Sequence, residues 1–208
     1  MLKIISPKGV SLYDGTKVVQ IHKRKGKFEI TTANEIKIHC KHVVVTCGYE
    51  SESFLPKKVS TLNSTSAVVS EPVLPSSLWY RSCLIWETAR PYLYMRTTTD
   101  NRIIIGGKDE PFYNPQKRDA LLNQKTKDLT KSFSKKFPDI SFHPEFTWTG
   151  TFAETKDSLP YIDKYRGLIY VMGFGGNGIT YSQMAGKLVT DIINGKNNPD
   201  LALFAFNR

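Results

Sequence analysis

Four glycines stand close together between two apolar segments near the end of the chain. Leu168 to Met172 has the composition of an apolar strand, and the segment from Ile179 to Ile193 has the apolar periodicity of a helix. The glycines between them are Gly173, Gly175, Gly176 and Gly178. A glycine turn that leads into a helix presents unshielded backbone N–H groups to whatever occupies the turn. The segment therefore predicts a cradle for an anionic or electron-rich ligand.

The spacing of Gly173, Gly175 and Gly178 satisfies the dinucleotide-binding fingerprint, but the rest of that unit is missing. The fingerprint opens a βαβ unit whose second strand ends in an acidic residue that binds a ribose. Here Asp191 falls within the predicted helix, and no carboxylate follows Leu201 to Phe206. Three alternatives stay open: a dinucleotide-phosphate loop, a plain turn that packs helix on strand, or a loop that contacts another part of a cofactor.

The histidines and cysteines form no recognisable catalytic or metal-binding pattern. The four histidines show neither metal-ligand spacing nor a Ser-His or Cys-His arrangement, so we expect no metal. The three cysteines form no CxxC pair, and their odd number is typical of a reducing compartment. No apolar run is long enough to cross a membrane, and MLKIISPKGVSLYDG does not have the pattern of a signal peptide. These features predict a cytoplasmic protein without a membrane partner.

The basic residues of this 208-residue chain are scattered rather than arranged as a nucleic-acid surface. The formal net charge of +10 raises the question of a polyanionic partner. The clusters at His22 to Lys27, at Lys57 and Lys58, and at Lys125 to Lys136 are short and lack interleaved aromatic residues that could stack on bases. A solvated surface explains them better, so nucleic acid is an unlikely partner.

The first third of the chain predicts a β-meander followed by a buried strand. Val18 to Ile21, Lys27 to Thr32 and Glu35 to His39 have the character of short strands, with Lys25 and Gly26 as a hairpin turn. Lys41 to Gly48 is β-branched and too continuously apolar to be half-exposed. It predicts a buried, parallel strand whose glycine end faces a ligand.

The middle of the chain predicts a second, antiparallel sheet with one helix. Asp119 to Phe137 carries apolar residues at helical spacing on a lysine-rich background and is stopped by Pro138. A Ser-, Thr- and Pro-rich stretch between Lys57 and Trp79 marks a crossing between two lobes. The predicted strands are Ser66 to Ser70, Leu84 to Glu87, Tyr92 to Thr97, Arg102 to Gly106 and Phe142 to Thr151.

The order of these segments resembles the C-terminal part of the FAD-dependent D-amino-acid oxidase and glycine oxidase family. The segments that carry the resemblance are VVVTCG, WETARPYLYMRTTTDNRIIIGG, WTGTFAETKDSLPYID and GLIYVMGFGGNGITYSQMAGKLVTDIING, and it extends from about Leu2 to Asn194. It implies a mixed α+β and α/β fold, with an antiparallel substrate-binding sheet, flanking helices and the distal part of a Rossmann-like FAD domain. The implied division is 1–58 and 151–208 for the FAD domain and 59–150 for the substrate domain.

The resemblance implies non-covalent FAD as the cofactor. Thr147 to Asp163 contains no cysteine that could form the covalent flavin link of some relatives. The helix N-terminus after the glycine turn would stabilise negative charge on the reduced flavin. The implied cofactor-binding residues are Thr46, Cys47, Gly48, Gly173, Phe174, Gly175, Gly176, Asn177, Gly178 and Ile179.

The substrate-binding residues implied by the resemblance differ from those of the family. Phe152 stands where several relatives place an arginine that clamps the substrate carboxylate, and Gly176 stands where a glycine oxidase supplies a basic side chain. Strand alternation places Arg90, Tyr92, Tyr94 and Arg96 on one face, where they could orient a substrate. The alternative is a surface strand whose arginines pair with carboxylates. Trp86, Trp148 and Tyr181 are candidates for apolar walls.

These observations predict a flavin-dependent oxidoreductase that acts on a small amine or amino acid and is present as a C-terminal fragment. The family's N-terminal dinucleotide-binding unit has no counterpart here, so a separate half would be a partner. We expect its absence to expose Val43 to Thr46 and Ile169 to Met172, which would favour a homodimer. The alternatives are a catalytically inactive domain or interaction module and, less favoured, a basic nucleic-acid-binding domain.

Overall fold

The computed structural model describes residues 8–89 and 91–208 and arranges their strands in three sheets. The strands are β1 (Val18–Arg24), β2 (Lys27–Thr32), β3 (Lys37–Cys40), β4 (Val44–Val45), β5 (Thr61–Ser70), β6 (Ile85–Trp86), β7 (Leu93–Thr97), β8 (Ile103–Glu110), β9 (Pro144–Glu154), β10 (Tyr161–Tyr165) and β11 (Leu168–Met172). The helices are α1 (Pro115–Ala120), α2 (Leu122–Lys136) and α3 (Gly178–Ile193). Short 3-10 segments include Gly48–Phe54 and Pro199–Phe204.

The first sheet is the predicted meander, β1-β2-β3, in which both pairs are antiparallel. Lys25 and Gly26 form its two-residue turn with φ values of 47° and 80°, as the right-handed twist of a tight hairpin requires. The third strand begins at Lys37 rather than at Glu35. Glu35 instead adopts φ 60° in a turn, where its N–H donates to the carbonyl of Thr32 at 2.9 Å.

The second sheet, β10-β11-β4, is mixed and contains the predicted parallel strand. Ile169 of β11 is the register partner of Val44 of β4 in a parallel ladder. The prediction of a long, fully buried strand was wrong, because β4 has only two residues and Val44 is 37% exposed. As an edge strand, β4 is paired on one side only.

The expectation that Ile169 to Met172 is exposed was also wrong, because all four residues are buried. Tyr170 and Met172 pack toward the meander, in a cluster that includes Phe28. Val171 packs on the other face against Leu188 of α3. The strand is therefore covered by parts of this same chain.

The third and largest sheet has the order β6-β7-β8-β5-β9 and is antiparallel throughout. The predicted single helix divides at Leu121 into α1 and α2, and α2 ends before Pro138 as expected. The side chain of α2 residue Phe133 is fully buried, with its ring centroid 4.7 Å from that of Phe142. None of the helices within the described ranges has the length and apolar character needed to cross a membrane.

The core between α2 and the large sheet combines aliphatic residues of the sheet with Leu129 and Phe133 of the helix and two residues of the segment that follows it. Its buried members are Val68, Leu93, Met95, Ile103, Ile105, Leu129, Phe133, Ile140 and Phe142. Only one face of the large sheet is covered in this way. The opposite face carries the side chains considered below.

Phe133→Ala is expected to lower the free energy of unfolding by about 3–5 kcal/mol, because loss of the buried ring leaves a cavity between α2 and the large sheet. Lys131→Ala, an exposed change on the same helix, should alter it by less than about 0.5 kcal/mol. Urea denaturation of the two variants measures both values. Similar losses in both would contradict the central position of Phe133 in this core.

Candidate functional site

Two adjoining cavities lie at the end of β9 and share the walls Phe152, Phe174 and Gly175. The first, which we call the glycine cavity, has a volume of about 670 Å³ and is also lined by Thr46, Gly48, Gly173 and Gly178, among others. The second, which we call the tyrosine cavity, has a volume of about 1020 Å³. It is also lined by Asn63, Thr65, Trp86, Tyr92, Tyr94, Asp109, Glu154, Gly176 and Asn177, among others.

The glycine turn is held against β9 by backbone contacts. The Gly175 N–H donates to the carbonyl of Ala153 at 2.9 Å, and Phe174 forms an antiparallel bridge with Glu154. Gly173 has φ 77°, and a Cβ at this position would lie 2.6 Å from Cγ2 of Thr155. A side chain at 173 is therefore excluded both by the backbone conformation and by space.

The glycine cavity ends at the N-terminus of α3. Asn177 is the N-cap residue, but its side chain makes no capping hydrogen bond to the first-turn N–H groups. The nearby walls are mostly apolar and include Val44, Val171 and Val189. Apolar walls with free N–H donors and a positive helix end suit a flat ring system with a polar, electron-rich edge.

Aromatic side chains form one side of the tyrosine cavity. The Tyr92 ring centroid lies 5.9 Å from that of Trp86 and 6.4 Å from that of Tyr94. Tyr94 extends across Gly106 of β8, where a Cβ would overlap its hydroxyl group. Burial and the charge of Asp109 raise the pKa of Tyr94, against the opposing effect of Arg96. The Tyr94 phenol is therefore neutral at physiological pH.

Asp109 reaches the tyrosine cavity through a bulge in β8. The register with β5 shifts so that Lys108 and Asp109 together oppose Thr65. Burial raises the pKa of Asp109, while hydrogen bonds with Thr65 and Tyr92 oppose that shift, and Glu154 adds to it by like-charge repulsion. The Asp109 Oδ1 atom is buried and has no hydrogen-bond partner within the part of the chain that the structure describes.

Sequence reasoning missed Asp109 and Glu154 as cavity residues. Glu154 is the last residue of β9, and its Oε2 accepts a hydrogen bond from Asn63 Nδ2 at 3.2 Å. The signal for Asp109 was the run GGKDE, in which two glycines inside a strand pattern indicate a bulge. No comparable local signal marked Glu154.

Most of the predicted cofactor-binding residues line one of the two cavities. Gly176 and Asn177 face the tyrosine cavity instead of the glycine cavity. Cys47 and Ile179 line neither cavity, and Ile179 is 88% exposed. The other six line the glycine cavity: Thr46, Gly48, Gly173, Phe174, Gly175 and Gly178.

The predicted substrate-binding residues divide similarly. Tyr92, Tyr94 and Phe152 line the tyrosine cavity, whereas Arg96 is exposed and outside its lining. Arg90 lies outside the described residues. Of the candidate aromatic walls, Trp86 lines the cavity and Trp148 does not.

Tyr181, the third candidate wall, also lies outside the cavity lining. Its ring packs against Phe174 at a centroid distance of 6.1 Å, and its hydroxyl donates to the carbonyl of Ser158 at 3.2 Å. Tyr181 therefore supports a residue of the shared wall.

Gly173→Ala should lower the free energy of unfolding by about 1–3 kcal/mol, because alanine must adopt φ 77° against Thr155. Gly186→Ala is the matched control, since a Cβ within α3 at that position meets nothing within 4 Å. Greater helix propensity should raise its stability by up to about 1 kcal/mol. Urea denaturation distinguishes the two, and equal changes would contradict the cradle geometry.

Asp109→Asn should stabilise the protein at alkaline pH and change little near pH 4. The pKa of Asp109 is raised on folding, so the stability contributed by its protonated form is lost as the pH rises from the unfolded value of about 3.9 through the folded value. We expect a melting temperature about 2–4 °C above that of the unchanged chain at pH 8. Asp139→Asn, an exposed change beyond α2, is the matched control in thermal melts. A parallel response in both variants would contradict the burial of Asp109.

This chain is similar in sequence to known proteins. A family model described as FAD dependent oxidoreductase (DAO) matches residues 1–192. Gamma-glutamylputrescine oxidoreductase of Escherichia coli (strain K12) is 30% identical over 104 residues, which are 49% of this chain and 23% of that protein. Glycine oxidase of Geobacillus kaustophilus (strain HTA426) is 31% identical over 123 residues, which are 55% of this chain and 31% of that protein.

A solved structure of about twice the length shares the fold of this chain. The structure of L-proline dehydrogenase from P. horikoshii superimposes with a TM-score of 0.80 at 19% identity, over 96% of this chain and 55% of that one. This chain thus spans about half of the solved structure and less of the two curated relatives. The family match over nearly its whole length shows that the chain belongs to the FAD dependent oxidoreductase (DAO) family.

Proposed function

We propose that this chain forms the flavin-ring and substrate portion of an oxidoreductase that acts on the C–N bond of a small amine or amino acid. FAD is the cofactor of the family, and the glycine cavity would hold it without a covalent link. The observation that carries the proposal is the shared wall of Phe152, Phe174 and Gly175. A cofactor in one cavity and a substrate in the other would meet at this wall.

The residues of the glycine cavity fit a flavin ring. Gly173 and Gly175 line this cavity with backbone alone, both have positive φ values that favour glycine, and a Cβ at Gly175 would point into open space. Bound FAD would supply the two-electron acceptor for the substrate. The uncapped N-terminus of α3 would stabilise negative charge at the adjacent edge of the site.

The residues of the tyrosine cavity would orient the substrate and exclude water. Phe152 and Phe174 place apolar rings at the junction of the two cavities. The phenol groups of Tyr92 and Tyr94 and the amide of Asn177 offer hydrogen-bonding groups around the substrate. With Phe152 at the position of the family's arginine, substrate binding would not use that carboxylate clamp.

The proposed activity also requires a dinucleotide-binding segment beyond the residues described. We place it beside β4, the edge strand of the mixed sheet, where Val44 is 37% exposed. In this arrangement 1–58 and 151–208 belong to the FAD domain and 59–150 to the substrate domain.

A homodimer stays a prediction. The free thiols of Cys40, Cys47 and Cys83 support a cytoplasmic location.

Absorption spectroscopy tests whether the chain holds FAD. After incubation with FAD and desalting, the protein should retain the near-ultraviolet and blue absorption bands of a flavin. Gly178→Leu fills the glycine cavity without requiring a positive φ, and we expect FAD binding to weaken by at least about tenfold.

Thr180→Leu is the control, because it adds the same side chain two residues later at an exposed position outside the cavity lining. Its FAD binding should match that of the unchanged chain. A colourless protein after incubation, or equal flavin retention by Gly178→Leu, would contradict the assignment of the glycine cavity to FAD.

A further inference from the structure

The tyrosine cavity places two carboxylates beside three aromatic rings. Asp109 and Glu154 are both lining residues, and within 8–89 and 91–208 no lysine or arginine lines the cavity. This composition contrasts with the chain as a whole, whose formal net charge is +10. The described lining of the cavity is therefore acidic, on a chain that is basic as a whole.

The carboxylate of the half-buried Asp109 is only partly compensated by its hydrogen bonds with Thr65 and Tyr92. Its Oδ1 atom is buried and lacks a hydrogen-bond partner among the described residues. Glu154, with the same charge, raises its pKa further. A buried anion of this kind is costly unless a cation neutralises it.

The lysine of the adjoining helix whose charge acts on Asp109 is already engaged elsewhere. Lys125 of α2 lies 2.6 Å from Glu110 Oε1 and donates a hydrogen bond to the carbonyl of Lys108 at 2.8 Å. Lys125 acts on Asp109 only as the smallest of the causes that set its pKa. The protein thus leaves the cavity without a dedicated internal counterion in its described lining.

The aromatic rings favour the same kind of ligand. Trp86, Tyr92 and Tyr94 have centroid separations of 5.9 and 6.4 Å along one side of the cavity. The faces of tryptophan and tyrosine attract cations, so an alkylammonium group can bind against the faces of this row of rings. Trp86 is 61% exposed, which gives a ligand access to its ring.

We propose that the tyrosine cavity binds the positively charged amino group of an amine that carries no neighbouring carboxylate. Asp109 and Glu154 are its anionic partners, and Trp86, Tyr92 and Tyr94 are its aromatic walls. The inference rests on the proposed function, because it takes this cavity as the substrate cavity, and it narrows the substrate class. An ordinary amino acid would bring its own carboxylate close to two others, at a cost in repulsion.

Calorimetric titration of the full chain with three matched probes at pH 7.5 tests the charge preference. The probes are n-butylamine, 1-butanol and butyrate, which share an alkyl chain and differ in charge. We expect n-butylamine to bind at least about tenfold more tightly than 1-butanol, and butyrate to bind most weakly. Equal or tighter binding of butyrate would overturn the proposal, as would failure of all three probes to bind.

Variants locate the site. Asp109→Asn and Glu154→Gln should each weaken n-butylamine binding by about five- to tenfold and leave 1-butanol unaffected. Asp139→Asn removes an exposed carboxylate away from the cavity lining and should leave both affinities unchanged. If the two cavity variants bind n-butylamine as well as Asp139→Asn does, the proposal is wrong.

A second pair of variants tests the aromatic walls. Trp86→Leu should weaken n-butylamine binding about threefold or more. Trp148→Leu removes another exposed tryptophan, 47% exposed and outside the cavity lining, and should have no effect. Equal effects of the two changes would contradict the role of Trp86.

Flavin absorption of the same preparations separates this inference from the proposed function. Amine binding without flavin retention would contradict the proposed function and leave the cation site standing. Flavin retention combined with a preference for butyrate would do the opposite.

Discussion

The attachment of the glycine turn to the end of β9 is the contact on which the candidate site depends. β9 is paired with β5 of the large sheet over its whole length, and its last residues hold the turn through the Gly175–Ala153 hydrogen bond and the bridge at Phe174. One strand thus connects the sheet that supplies the tyrosine cavity with the turn that supplies the glycine cavity. Because backbone hydrogen bonds fix both sides, the shared wall has a defined position.

Each neighbouring element supports this junction through its own packing. The mixed sheet is covered on one face by the meander and on the other by α3, so the strand that leads into the glycine turn is rigid. The large sheet is covered by α2 on one face only, which leaves the aromatic side chains of β6 and β7 on the open face. The fold thus combines well-packed cores with an open sheet face, which supplies part of the tyrosine cavity.

The described lining of the tyrosine cavity is opposite in charge to the chain as a whole. The basic residues that give the chain its net charge are spread through short surface clusters, whereas the described lining of the tyrosine cavity is acidic and aromatic. Under the proposal of an amine site, this local field would select ligands by the charge of the group that enters the cavity rather than by the charge of the whole protein. Phe152 would add to that selectivity, since a phenyl ring cannot pair with a carboxylate.

The sequence by itself determined the strand, glycine turn and helix around Gly173, the meander and the family to which the chain belongs. These features depend on local patterns: apolar periodicity, glycine spacing and turn residues close together in the chain. Tertiary structure decided which residues share a cavity. The β8 bulge sets Asp109 beside Thr65, and antiparallel pairing of β5 with β9 brings Asn63 to Glu154 across ninety-one positions. The burial of Ile169 to Met172 was likewise decided by packing from both sides, which no local pattern specifies, because contacts between distant segments depend on the whole fold.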